Sequence, residues 1–240
     1  MSKTVAIIQA RMGSSRLPGK VLMELAGESI LAHVLRRARA IPGVDAVCCA
    51  VPDKPEDDMV AAEAARLGVA VSRGPEADVL ERYRKAAAEC GADVVLRATS
   101  DCPFLDPWVC GALIRLRTEE RADFGSNNDP PGWPHGMDCE IFTYGCLARA
   151  AREADQPFQR EHVGPWMRTA AGLKRVSLNG PGGDWMRWRL TVDFPEDLTM
   201  FRRLAALLPA PPAMPSVTDI CDVLARHPDI GAINQARHVK

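Results

Sequence analysis

The sequence predicts an α/β protein, a mostly parallel sheet covered by helices on both faces. Three observations carry this. Short apolar runs rich in β-branched residues alternate with segments of helical period through the first half of the 240-residue chain. The connections between them are short. A β-α-β-α-β-α-β succession of that kind closes as parallel strands joined by crossover helices.

The strands of this first half are KTVAIIQ (3–9), DAVCCAV (45–51), VAVS (69–72) and ADVVLRA (92–98). Between them, SILAHVLRRARAI (29–41) places Ile30, Leu31, Val34, Leu35, Ala38 and Ile41 on one helical stripe. PEDDMVAAEAARLG (55–68) opens on acids and stops at a glycine, as a helix with its macrodipole complemented should, and ADVLERYRKAAAECG (77–91) does the same. From about residue 123 the pattern changes. DFGSNNDPPGWPHGMDCEIF is rich in turn formers before it becomes strand-like, and it suggests a smaller lobe over about 127–180 within one domain spanning 1–240. Helices are expected at 143–154 and 159–171, strands at LKRVSL (173–178) and WRLTV (188–192), and helices at 195–208 and 216–227. The Pro/Ala-rich PAPPAMP (209–215) separates the last two.

Composition narrows the function. A net charge of −1, with 47% hydrophobic and 25% charged residues, is ordinary for a globular protein and excludes the broad basic field of a general nucleic-acid binder. No apolar run approaches the length of a membrane span, and the first ten residues are too short for a signal peptide. The eight cysteines form no C-x-x-C pair and sit among apolar neighbours, so they read as reduced, buried residues of a cytoplasmic protein.

Against that neutral background, RMGSSRLPGK (11–20) crowds Arg11, Arg16 and Lys20 onto the loop leaving the first strand. Ligands of parallel α/β sheets bind at the carboxyl ends of strands, which is where this loop lies. Gly13 and Gly19 give the backbone room, Ser14 and Ser15 add donors, and the three cations suit a triphosphate. The spacing excludes a P-loop, because five residues separate the glycines and Val21 stands where a Ser or Thr would hold the metal. A G-x-G-x-x-G fingerprint is also absent. A triphosphate in a transferase calls for a divalent cation on carboxylates. Asp101 in TSDCPFLDP (99–107) follows one strand, and Asp193 in RLTVDFPEDL (189–198) ends another expected one. Asp106, Glu196 and Asp197 read instead as helix-cap and first-turn acids, and Asp78 as the cap of the helix after it.

IIQARMGSSRLPGKVL resembles the nucleotide-binding signature of the CMP-sugar synthetase family, which includes the CMP-Kdo and CMP-acylneuraminate synthetases. The Gln-Ala-Arg opening points to the branch related to spore-coat polysaccharide protein SpsF. The resemblance extends over nearly the whole chain, and Ser100 stands where many relatives have glycine. It implies a three-layer nucleotidyltransferase-like sandwich with a dimerising lobe, acting as a homodimer on CTP and a sugar for surface polysaccharide. The catalytic residues would be Arg11, Lys20, Asp101 and Asp193, with Mg2+ on the two aspartates. Ala10, Arg11, Gly13, Ser14, Ser15, Arg16, Lys20, Arg73, Thr99 and Ser100 would bind the nucleotide. Arg82, Asp138, Glu140, Arg160 and His162 would bind the sugar, which is expected to be acidic.

Several of these residues have equally simple structural readings. Asp78 and Arg82 make an i,i+4 ion pair, and REHVGPW (160–166) is also a charged helix start suited to a dimer interface. Asp138 and Glu140 share one side of a strand, where a D-x-E pair also suits the metal motif of a glycosyltransferase consuming a nucleotide sugar. A protein of this fold that binds nucleotide without turning it over is the non-enzymatic alternative. His33, His227 and His238 lie in helical or tail contexts. Four of the five tryptophans lie beyond residue 130, which suggests a partner-facing lobe.

Overall fold

A computed structural model describes residues 2–238. The chain runs through β1 (Thr4–Gln9), the short antiparallel pair β2 (Glu24–Leu25) and β3 (Glu28–Ser29), α1 (Ile30–Arg39), β4 (Ala46–Pro52), α2 (Asp58–Arg66), β5 (Ala70–Gly74), α3 (Val79–Glu89), β6 (Val94–Thr99) and α4 (Pro107–Glu120). It continues through β7 (Phe124–Ser126), β8 (Glu140–Thr143), α5 (Tyr144–Glu153), α6 (Pro157–His162), α7 (Gly164–Thr169), β9 (Arg175–Ser177), α8 (Pro195–Ala205), α9 (Val217–Arg226) and α10 (Pro228–Ala232).

The seven-stranded sheet has the order β5-β4-β1-β6-β8-β7-β9. All neighbours from β5 to β6 are parallel. β8 is antiparallel to both β6 and β7, and β9 returns parallel to β7. β1 is sandwiched in register, Ile7 lying opposite Cys48 on one side and Arg97 on the other. Its alternation serves two cores. Ala6 and Ile8 pack with α1, α2 and α4, whereas Val5 and Ile7 pack with α3, α5 and α7. This is a three-layer sandwich with the segment 127–180 contributing β8 to the middle of the sheet. A third core, built from α8, α9 and α10 around Phe104, Trp188, Leu190 and Val192, closes the end where the parallel strands terminate.

Caps fix the helix starts where side-chain oxygens precede them. Ser29 accepts from Ala32 N, Asp78 from Glu81 N, Asp106 from Trp108 N and Val109 N, and Ser216 from Asp219 N. Asp106 does more than cap, since its second oxygen takes the amide of Val217 and ties α9 to the start of α4.

The expected strand 188–192 is absent. The segment is extended but makes only a single bridge, between His135 and Arg189. Its donors go elsewhere: Leu190 N to His135 O (2.6 Å) and Val192 N to Asp101 O (2.8 Å). Asp193 is therefore delivered to the site by docking onto the loop after β6 rather than by ending a strand. The expected helix 159–171 is two helices, broken at Val163, whose φ of 66° is unusual for a β-branched residue. The break lets Gly164 lie against the Glu140 carboxylate, where any Cβ would collide.

The tryptophans beyond residue 130 do not form an exposed face. Trp166 and Trp188 are buried in cores, Trp133 and Trp185 are half-buried and meet edge to face, and the most exposed is Trp108. All eight cysteines are free thiols and seven are buried, Cys90 being half-buried. No helix among the described residues is long and apolar enough to cross a membrane.

Candidate active site

The loops leaving β1, β5 and β6 converge with the Asp193 segment and α6 around a cavity of about 800 Å³. Ala10, Arg11, Ser14, Ser15, Arg16, Lys20, Arg82, Thr99, Ser100, Asp101, Arg160, His162 and Asp193 all line it. Most of the residues singled out in the sequence thus meet in one hollow.

The loop after β1 is held in shape by its own backbone and by one residue the sequence reading did not single out. Ser14 N and Gly19 N both donate to Met12 O (2.8 and 3.0 Å), and Gly19 adopts a left-handed conformation (φ 69°) that favours glycine. Met12 N donates to Asp57 Oδ1 at 2.6 Å. Asp57 is 2% exposed, and burial pushes its carboxyl above the usual range despite that hydrogen bond. In the sequence it is one of three acids in PEDD, indistinguishable from a first-turn helix acid. Gly13 does not line the cavity, and a Cβ there would make only an ordinary contact with Glu76, so close approach is not its reason.

Lys20 lies at the centre. Its Nζ donates to Asp101 Oδ2 (2.8 Å) and to Asp193 Oδ1 (2.9 Å), and the residue is 8% exposed. Burial acts to lower its pKa, but the two carboxylates outweigh burial and hold the ammonium above its ordinary value. Burial acts on both aspartates in the opposite sense, and Lys20 overcomes it in each, so both lie below the ordinary carboxylate range. Thr99 Oγ1 donates to the other oxygen of Asp101 (2.6 Å). Asp193 also accepts from Arg16 Nη2 on Oδ1 (2.9 Å) and from Arg189 Nη2 on Oδ2 (2.7 Å).

Arg189 and Asp197 form the support behind Asp193. Arg189 Nε and Nη2 both donate to Asp197, at 2.9 and 3.1 Å. Asp197, with no exposed surface, also accepts from the amides of Asp193 and Phe194 and from Asn234 Nδ2, each at 2.9 Å. The first-turn reading of Asp197 holds, but it misses this second role. Glu196, the neighbouring acid, pairs with Arg237 at the surface (2.9 Å).

Arg82 presents a different electrostatic situation. It is 2% exposed, it lines the cavity, and among the described residues no carboxylate lies within ion-pair distance of it. Nη1 donates to the carbonyls of Pro75 (2.6 Å) and Glu76 (3.3 Å), and Nε is buried without an acceptor. Burial lowers its pKa, and nearby Arg11 adds to the effect. The expected Asp78–Arg82 pair does not form, because Asp78 Oδ2 is taken by Arg160 Nε and Nη2 (2.8 and 2.6 Å). Arg160 also caps Ala151 and Ala154 carbonyls through Nη1, so its fork is spent on fixing α6 rather than open to a ligand. His162 lines the cavity with its ring against Phe158.

Three expected ligand residues lie elsewhere. Arg73 is turned to the outside of β5, where it meets Asp58 Oδ1 (2.5 Å) and the carbonyls of Pro52 and Lys54. Asp138 precedes β8 instead of lying on it, and accepts from Gly136 N. Glu140 is 4% exposed and is consumed by Arg97 Nη1 (2.9 Å) and Arg168 Nη2 (2.7 Å). Neither acid lines the cavity, which removes the D-x-E pair as a metal motif. Arg97, the partner that sequence reasoning passed over, does line it and also donates to Gln9 Oε1 (3.2 Å). A lone cation inside the apolar run VVLRAT was the available signal.

The chain is similar to known proteins along its whole length. It is 31% identical over 234 residues to the uncharacterised protein MJ1063 of Methanocaldococcus jannaschii, covering 97% of this chain and 94% of that one. It is also 31% identical to spore coat polysaccharide biosynthesis protein SpsF of Bacillus subtilis, covering 98% and 100%. A 3-deoxy-manno-octulosonate cytidylyltransferase of Anaeromyxobacter is 38% identical over 198 residues, covering 76% and 79%. Among solved structures, a cytidylyltransferase from Leptospira borgpetersenii superposes with a TM-score of 0.91 at 28% identity over the full length of both chains. The CMP:2-keto-3-deoxy-manno-octonic acid synthetase complexed with CTP shares the fold, with a TM-score of 0.64 at 20% identity over 86% of this chain and 99% of that one. The cytidylyltransferase profile matches residues 5–207, a span that contains every cavity residue named above. On that match, and on full-length relatives above 30% identity, the chain belongs to the cytidylyltransferase family.

Proposed function

We propose that this cytidylyltransferase transfers CMP from CTP to a hydroxyl of an acidic sugar, releases pyrophosphate, depends on Mg2+, and works as a homodimer in surface-polysaccharide synthesis. The observation that carries the reading is the meeting of Lys20 and Arg16 with Asp101 and Asp193 at one end of the cavity. Cations that suit triphosphate oxygens and carboxylates that suit a hard metal ion are there within hydrogen-bond distance of each other.

Arg11, Arg16 and Lys20, with the hydroxyls of Ser14 and Ser15, form the triphosphate end. In the reaction a sugar hydroxyl gives up its proton to solvent and its oxygen bonds to the α-phosphorus, while the bond to the bridging oxygen breaks and the charge passes to departing pyrophosphate. Fixed cations aimed at that leaving group lower the barrier because they need no reorganisation as the charge grows. No side-chain nucleophile is required. The buried thiols agree with this: burial holds Cys102, beside Asp101, well above the ordinary thiol range.

The donor set fits Mg2+. Among the described residues no group of three or more His, Cys, Asp or Glu converges, as a site built wholly from protein ligands would require. Two adjacent carboxylates, Asp101 and Asp193, are the number that Mg2+ takes from a protein when substrate phosphates and water supply its other ligands. Asp101 and Asp193 would hold the ion, and when bound it supplies charge neutralisation at the phosphoryl oxygens. Thr99 orients Asp101, and Arg189 orients Asp193.

The acidic character of the acceptor rests on Arg82. A buried guanidinium without a carboxylate partner is costly unless an anion arrives to meet it, and this one faces the cavity.

Thermal shift with CTP, UTP, ATP and GTP in the presence of Mg2+ tests the nucleotide. Ligand at a hundred times its Kd stabilises by about 2.7 kcal/mol, roughly 5–10 °C for a chain of this size. CTP should give the largest shift, and equal shifts would end the cytidine assignment. A pyrophosphate-release screen with CTP over acidic and neutral sugars then tests the acceptor. Release only with neutral sugars would refute the acidic class, and undiminished release by Lys20→Ala and Asp101→Asn would refute the mechanism.

A further inference from the structure

Every oxygen of the carboxylate pair that would receive the metal already accepts a hydrogen bond from the protein. Asp101 Oδ1 accepts from Thr99 and Oδ2 from Lys20. Asp193 Oδ1 accepts from both Lys20 and Arg16, and Oδ2 from Arg189. One ammonium bridges the two residues at 2.8 and 2.9 Å, the place a shared divalent ion must take. A divalent ion cannot bridge the same oxygens while that ammonium stays, since like charges a few ångströms apart in a buried site repel strongly. The lysine in turn cannot leave alone: it is 8% exposed, and withdrawing it would strip two mutually repelling carboxylates of their common counter-charge.

A triphosphate resolves both problems at once. It offers Lys20 and Arg16 new anionic partners, and it brings oxygens that complete the coordination of the metal. Arg16 is free to follow, its side chain being about half exposed, whereas Arg189 is buried between Asp193 and Asp197 and stays to hold Asp193 in place.

We propose that Lys20 is the resident cation of the Asp101–Asp193 pair and gives way to a divalent metal only when a nucleoside triphosphate supplies it with another anion. Metal therefore enters this site with the nucleotide and not before it. The inference rests on the metal assignment made above and goes beyond it, because it concerns order and coupling. Lysine exclusion makes the free protein a poor metal binder, so trace cations do not occupy the site ahead of substrate. By linkage, the metal must strengthen nucleotide binding by the same factor by which nucleotide strengthens metal binding.

The test is Mn2+ binding to the full chain, followed by water-proton relaxation enhancement, which separates a protein-bound ternary complex from Mn2+–CTP in solution. Wild-type protein without CTP should bind Mn2+ weakly. Because CTP is itself a chelator, the decisive comparison is made without it. Lys20→Met should bind Mn2+ at least tenfold more tightly than wild type in the absence of CTP, and Asp101→Asn in the same background should abolish the gain. The coupling between CTP and Mn2+ should also shrink in Lys20→Met. If circular dichroism shows that Lys20→Met does not fold, the polar neutral variant Lys20→Gln takes its place with the same expectation. Unchanged Mn2+ affinity in a folded neutral variant would overturn the proposal, as would tight Mn2+ binding by wild type with no CTP present. If CTP binds by thermal shift but no variant forms a Mn2+ ternary complex, the metal assignment itself fails and this inference falls with it.

Discussion

Arg189→Met isolates a residue that does not line the cavity and holds one, Asp193, that does. Arg189 is 5% exposed and donates to Asp197 twice, to Asp193 once and to His135 Nδ1 (3.2 Å). Methionine fills much of the same space and removes the charge. Losing one partner of a buried ion pair costs about 3–5 kcal/mol, mostly from the carboxylate left behind. Asp197 keeps two backbone amides and Asn234, so the low end is expected, about 3 kcal/mol. For a chain of this length that is about 6–12 °C in Tm. Urea unfolding at neutral pH, with unchanged m-value, measures it directly. Arg189→Lys should recover less than half the loss, because one ammonium cannot serve Asp193 and both oxygens of Asp197. Pairing Arg189→Met with Asp197→Asn gives the coupling, expected at about 1.5 kcal/mol or more in favour of the double variant. If Arg189→Met unfolds within about 1 kcal/mol of wild type, the support assigned to this network is wrong.

Asp57→Ala leaves the Met12 amide without its acceptor, so stability should fall by about 1–3 kcal/mol, and CTP affinity, read by thermal shift, should fall with it. Asp57→Asn keeps an acceptor oxygen and should restore most of both. Glu140→Gln leaves Arg97 and Arg168 short of a counter-charge and should lower Tm. An unchanged Tm with a raised acceptor KM would instead return Glu140 to the substrate site. The pH dependence of stability follows from the three central charges. Asp101 and Asp193 have depressed folded pKa values, so their contribution is present above their unfolded values near 3.9 and is lost as pH falls through the folded ones. Lys20, with a raised folded pKa, contributes below about 10.4 and loses its contribution only as pH rises through the higher folded value. The Tm gap between wild type and Asp101→Asn should therefore be constant from about pH 5 to 9 and narrow below about pH 4.

Periodicity made the sandwich legible and fixed charge made half the site legible. β1, β4, β5, β6 and the helices between them begin and end within a few residues of their expected bounds, because each is a short apolar run or a capped stripe whose pattern survives in one dimension. The strand expected at 188–192 fails for a reason that pattern cannot express. WRLTV has the composition of a strand, but its amides are claimed by His135 and Asp101, both distant in sequence. The same limit separates the candidate residues that the structure gathers at the charged end of the cavity from those it engages locally. Arg11, Arg16, Lys20 and Asp101 follow the ends of β1 and β6, and Asp193 lies in the extended segment docked beside Asp101. Arg73, Glu140 and Arg160 lie where a carbonyl or opposite charge is within reach and are consumed by it, and Asp138 accepts from the backbone amide of Gly136.

Which charges are spent and which are left over is a property of the folded chain alone, and it changes how the loop RMGSSRLPGK is understood. As sequence, its cations stand for the phosphate end and the two aspartates for the metal end of one ligand. In the structure they are partners: Lys20 and Arg16 neutralise the aspartates proposed to hold the metal. A site arranged as two separate halves would bind metal and nucleotide independently. One whose halves neutralise each other would have to open both together, so under the proposed order of binding the same ion pairs that stabilise the chain would couple its two ligands. Arg82 is the complement, since no carboxylate lies within ion-pair reach of its buried charge and that charge still faces the cavity. Arg82→Met should therefore cost little stability, about 1 kcal/mol or less, because a buried charge without a counter-ion is lost along with its two carbonyl bonds. Pyrophosphate release with an acidic acceptor should fall at least tenfold while the CTP-induced thermal shift stays within 1–2 °C, about the width that less than 1 kcal/mol produces in a chain of this length. A fall in the CTP shift as large as the fall in turnover would place Arg82 on the nucleotide instead.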